Sequence, residues 1–111
     1  MATRKKKPTP ETIVMRKICD YLADRNYVFW RANNMPVYEP RKKIFHAMPK
    51  YSMKGVADIQ VILYGQSIFV EVKAPQGVQS KDQKKFQELV TKAGAKYGIV
   101  RSVNDLAILG L

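Results

Sequence analysis

The chain has 111 residues, enough for one domain with one real core, and no apolar run approaches the roughly 18 residues that a membrane span needs. A single cysteine, Cys19, excludes an internal disulfide; with one Cys and one His (His46), no zinc site of Cys and His can be built, so a metal must take oxygen ligands. The 20 Lys and Arg against 9 Asp and Glu leave a net charge of +11, as expected of a protein that meets a polyanion.

In chain order, "MATRKKKP" reads as a disordered basic arm over residues 1–8, with no signal-peptide pattern, and residues 9–111 read as a single domain of a soluble, cytoplasmic protein. "TPETIVMRKICDYLADRN" predicts a helix with Thr9 as N-cap, Pro10 at the first helical position and an apolar stripe of Val14, Ile18, Tyr21 and Leu22. "YVFWRAN" and "KKIFHAM" predict strands on either side of the turn-prone "NMPVYEPR". Phe29 and Trp30 are expected in the core, and His46 as a structural residue or a phosphate contact.

"VADIQVILYGQSIFVEVKA" predicts a hairpin. With Gly65 and Gln66 at the centre of a type II′ turn, Gln60 stands opposite Glu71 and Asp58 opposite Lys73. Asp58, Glu71 and Lys73 then share one face. Ala57, Ile59, Val61, Leu63, Ile68, Val70, Val72 and Ala74 share the other, and a slip by one residue would break that apolar face. Asp58 and Glu71, as diagonal neighbours with Cα atoms about 7–8 Å apart, can reach one ion between them. "SKDQKKFQELVTKAG" predicts a second helix with Ser80 as N-cap, Gln83 in the capping-box position and Gly94 as its stop. "YGIVRS" is a short strand and "VNDLAILGL" a final helical turn, which makes the pattern mixed α/β.

Two carboxylates and a lysine on one face suit phosphodiester hydrolysis. A divalent ion held by Asp58 and Glu71 activates water and offsets charge on the phosphate, while the Lys73 ammonium positions that water or stabilises the transition state. The plainer alternative is a cross-strand Asp58–Lys73 ion pair beside a solvated Glu71. Glu11, at the polar end of the first helix's inward line, is either a further carboxylate of the site or a partner of the helix dipole. Gln83 is either a capping-box residue or a contact to phosphate or metal-bound water. Arg101 is either a residue that orients a carboxylate or phosphate, or one half of a surface ion pair. Tyr51 and Ser52 lie in a loop leading into the site.

Asp58 followed by Glu71-Val72-Lys73 resembles the PD-(D/E)XK nuclease signature, with Ala57 where proline is usual. Gly55 before Asp58, "VKAPQGVQSKDQKKF" after the motif and "AGAKYGIVRS" beyond it resemble the VRR-Nuc family from Glu11 onward, with Val100-Arg101-Ser102 at the name-giving strand. The resemblance implies a mixed central sheet flanked by helices with a restriction-endonuclease-like core. It also implies a magnesium- or manganese-dependent endonuclease of phage or bacterial type, acting on DNA. Its metal ligands would be Asp58, Glu71, the Val72 backbone carbonyl and Glu11, with Lys73 and Gln83 completing the catalytic set. Lys42, Lys43, Lys50, Tyr51, Ser52, Lys54, Ser80, Lys81 and Arg101 would contact DNA. Similarity to Holliday-junction resolvases implies a homodimer on branched DNA, with Met35, Val37, Tyr38 and Met48 as the candidate seam. A non-catalytic DNA-binding protein, a general DNA-degrading nuclease and a sequence-specific restriction enzyme are the competing expectations.

Overall fold

The computed structural model describes residues 7–32, 38–39, 44–45 and 50–111, with only the backbone of 38–39 and 44–45. Helix α1 spans Pro10–Asp24. Thr9, in extended backbone, caps it by accepting from the Thr12 N–H at 3.2 Å, and Pro10 begins it where no amide donor is needed. Met15, Ile18 and Leu22, three to four residues apart, form its buried line.

Strands β1 (Val28–Arg31), β4 (Ile59–Leu63), β5 (Gln66–Val72) and β6 (Lys96–Val100) form one sheet in the order β1-β4-β5-β6. The first three are antiparallel neighbours; β6 lies parallel to β5, which helix α2 (Lys81–Lys92) permits by crossing over between them. On one face, Ile59, Val61, Ile68, Val70, Val72 and Val100 pack with the α1 line and with Leu106, Leu109 and Leu111 of the C-terminal segment, whose Val103–Leu109 stretch is a 3-10 helix. On the other, α2 lays Phe86 edge-on against Phe69, ring centres 5.1 Å apart. The architecture is the mixed sheet flanked by helices that the sequence predicts.

Three details differ from the sequence expectation. The hairpin turn centres on Tyr64 (φ 49°) and Gly65 (φ 76°), not on Gly65 and Gln66. Two positive φ values in succession give the type I′ twist that suits paired strands. The register therefore moves by two residues: Ile59 pairs with Val70 and Leu63 with Gln66. A two-residue move preserves which face each side chain takes. Second, Tyr38–Glu39, inside the segment read as a turn, is strand β2 and pairs with Ile44–Phe45, strand β3. Third, Trp30 is 45% exposed, because its pairing with Gln60 turns it to the face opposite the α1 core, while Phe29 packs against that core. Residues 1–6 of the basic arm, Met35, Val37, Lys42, Lys43, His46, Met48 and the side chain of Tyr38 lie outside the described residues. Among the described residues no helix is long and apolar enough to cross a membrane.

Candidate active site

Asp58 immediately precedes β4, and one step beyond the Ile59–Val70 pair sets it level with Glu71 rather than Lys73. Its position is held twice through the backbone: Oδ2 accepts from the Val72 N–H at 2.8 Å, and the Asp58 carbonyl accepts from the Ala32 N–H at 2.8 Å. Glu71 lies between Val70 and Val72 on β5, so alternation turns it away from the α1 core and toward α2. Both carboxyl groups are buried, Glu71 almost completely at 1% exposure. Lys73, two residues on and therefore on the same face, brings Nζ to 3.6 Å from Glu71 Oε1. Among the described residues the lysine thus pairs with Glu71.

Gln83 serves both of its expected purposes at once. Its Oε1 accepts from the Ser80 N–H at 2.8 Å and its own N–H donates to Ser80 Oγ at 3.2 Å, closing the capping box at the start of α2. A backbone N–H can only donate, so the carbonyl end of the amide must face Ser80. The amide nitrogen is left to donate to Glu71 Oε1 at 2.7 Å.

Burial raises the Glu71 pKa to about 8, the Asp58 charge adds to that rise, and Lys73 opposes it. Glu71 Oε2 is buried with no hydrogen-bond partner among the described residues. A buried oxygen of this kind, beside a second carboxylate, is satisfied either by its own proton or by a cation. The donor set fits a hard divalent ion, which takes oxygen ligands. Among the described residues, however, no three of His, Cys, Asp and Glu come together as a complete cage. Glu11, exposed in the first turn of α1, lines a cleft shared with Asp58 but does not join Asp58 and Glu71 in such a cluster. Its helix end stands at the rim of the site.

The loop 50–58 reaches the site over the start of α2. Gly55 makes that approach possible: its φ is +73°, and a Cβ there would overlap the Asp82 carbonyl and come within 2.6 Å of Gln83 N. This contact brings exposed Lys50, Tyr51, Ser52 and Lys54 to the same edge as exposed Ser80 and Lys81. Tyr51 is 90% exposed at φ +70°, with the Lys50 ammonium 5.2 Å from its ring centre. Arg101 does something else: its Nη1 donates to the carbonyls of Ala74 at 2.7 Å, Gly77 at 2.8 Å and, more weakly, Pro75 at 3.4 Å. Its side chain braces the loop after Lys73 and forms no ion pair among the described residues, while its backbone N–H donates to Asp105 Oδ2 at 2.8 Å. Two residues that sequence reasoning did not single out, Arg16 and Arg31, line the Glu11–Asp58 cleft. The signal for Arg31 was its alternation with Phe29 along β1.

No family model matches the chain, and no curated protein matches it significantly. A solved structure titled "VRR_NUC domain" superimposes with a TM-score of 0.65 over 92% of this chain and 95% of that chain, at 21% identity. The likeness spans nearly the whole of both chains and agrees with the family resemblance carried by the sequence motifs.

Proposed function

From a chain with the fold of a VRR_NUC domain, we propose a nuclease that hydrolyses phosphodiester bonds of DNA with the help of a divalent metal ion. The carrying observation is the buried Oε2 of Glu71, without a hydrogen-bond partner among the described residues, beside Asp58 and with Lys73 on the same face. Removing a carboxylate from water costs several kcal/mol, and a protein that only bound DNA would gain nothing from two of them facing the anion. Asp58, Glu71 and the Val72 carbonyl are the residues that would hold magnesium or manganese. When bound, such an ion activates water and offsets charge on the phosphate.

The remaining work belongs to the chain. Glu71, its pKa raised by burial, would give up its proton to serve as a ligand. Gln83 fixes Oε1, which leaves Oε2 facing the site. The Lys73 ammonium holds the attacking water or a phosphate oxygen near Glu71, and Glu11 contributes from the rim through water. Lys50, Tyr51, Ser52, Lys54, Ser80 and Lys81 carry the DNA backbone past the carboxylates, so affinity falls steeply with salt. Because these contacts favour shape over base edges, the preferred substrate is branched DNA such as a four-way junction, cut by a cytoplasmic homodimer whose two-fold axis supplies paired sites. Cleavage rates over matched junction, flap and linear duplex substrates, together with sedimentation at micromolar concentration, test this. A dimer that prefers the junction supports the reading; a monomer that cuts linear duplex as fast makes the protein a general DNA-degrading nuclease.

A further inference from the structure

The cleft between α1 and β1, about 430 Å³, is lined by Thr9, Glu11, Thr12, Met15, Arg16, Arg31 and Asp58. Its walls come from α1 and β1, whereas the lysine-bearing loop rests on the start of α2. Arg31 pairs with Ile59 across the ladder, so it takes the α1 face of the sheet. Its charge is felt at Cys19 on α1, where it acts against the rise that burial imposes on the thiol. Arg16 lies one helical turn beyond Thr12 on the facing wall. Both arginines are exposed, and neither forms an ion pair among the described residues, although Glu11 and Asp58 line the same cleft.

We propose that Arg16 and Arg31 form a phosphate seat, holding a DNA backbone phosphate that flanks the one cut at Asp58 and Glu71. Two arginines lining one cleft match a tetrahedral oxyanion better than lysines do, because each guanidinium presents a rigid fork of donors. In this reading a strand that lies on Lys50, Lys54 and Lys81 crosses the carboxylates and continues over this cleft, which Asp58 also lines. The seat therefore sets the register of the strand from the side that the lysines do not reach. This rests on the nuclease reading above, yet it is tested by binding alone.

The experiment is a methylphosphonate scan, neutralising one phosphate at a time, with affinity measured in a Glu71→Gln background that does not cut. One flanking phosphate should cost about tenfold when neutralised, the worth of a charge-assisted contact. That penalty should vanish with Arg31→Gln and with Arg16→Gln, return in part with Arg31→Lys, and persist with Lys17→Gln, which removes a charge from the same helix outside the cleft. Each arginine variant should also lower the salt slope by about one. Thermal unfolding of every variant confirms that it is folded; should Arg31→Gln fail, Arg16→Gln and Arg31→Lys carry the test. A penalty that persists in the arginine variants overturns the seat even if the protein proves to be a nuclease. Conversely, a protein that never cuts DNA but shows the arginine-dependent penalty retains the seat and loses the nuclease reading.

Discussion

Gln83 donates to Glu71 Oε1 at 2.7 Å with one end of its amide while the other end accepts from the Ser80 N–H at 2.8 Å. Helix α2 is thereby registered against the carboxylate by a single side chain. The two jobs separate by mutation. Ser80→Ala should lose a helix cap, about 1 kcal/mol of stability, with a small change in rate. Gln83→Glu retains an acceptor for Ser80 but replaces the donor to Glu71 with a charge, so it should keep the helix cap and cut about 10- to 100-fold more slowly. Chemical denaturation and single-turnover rates read the two effects; equal rates for Gln83→Glu and parent would remove Gln83 from the site.

Glu71 gives the metal-free protein a particular pH response. Its folded pKa of about 8 lies above the usual carboxylate value of 4.5, so the folded state holds more protons between those limits. The associated stability is present below about pH 4.5 and is lost as pH rises through about 8. Glu71→Gln should flatten that part of the curve and be more stable than the parent at pH 9, as followed by denaturant midpoints in chelator. Metal affinity of the parent should rise over the same interval, since the ion displaces the proton.

Gly55→Ala tests the close approach of the loop to α2. A positive φ of 73° and overlap with the Asp82 backbone act together, for a loss on the order of 2–4 kcal/mol. Activity should fall as well, because the displaced groups include Gln83. A denaturant midpoint unchanged from the parent would show that the loop does not rest on the helix.

The alternation in "VEVKAP" was enough to put Glu71 and Lys73 on one face, and parity alone brought Asp58 to it. The partner across the ladder is not legible, because Gly65 is a strong local signal for the first position of a type II′ turn. Nothing in the propensity of Tyr64 announces a positive φ. Trp30 was expected in the core because a strand tryptophan is usually covered; its exposure depends on which strands α2 spans, and the aromatic contacts of α2 fall on Phe69 of β5 and Tyr97 of β6. The role of Arg101 depends on the path of residues 74–77, a loop whose carbonyls converge only in three dimensions. Gln83 was legible as either cap or ligand; that one amide does both follows from having two chemically distinct ends.

Lys73 is placed for the reacting phosphate more than for binding. Lys73→Ala should lower the single-turnover rate by about 100-fold or more while changing DNA affinity less than threefold, since one contact is a small part of a +11 surface. If affinity collapses and the rate constant holds, Lys73 is an ordinary phosphate contact.

The central claim is that Asp58 and Glu71 form a cation-dependent hydrolytic site. The most direct measurement is single-turnover DNA cleavage by the parent, Asp58→Asn and Glu71→Gln, each with magnesium, with manganese and in excess chelator. The parent should cut only with an added divalent ion, and both variants should lose at least about a hundredfold in rate while still binding DNA. Cutting by the parent in chelator, or by either variant at the parental rate, would contradict a metal site at this pair.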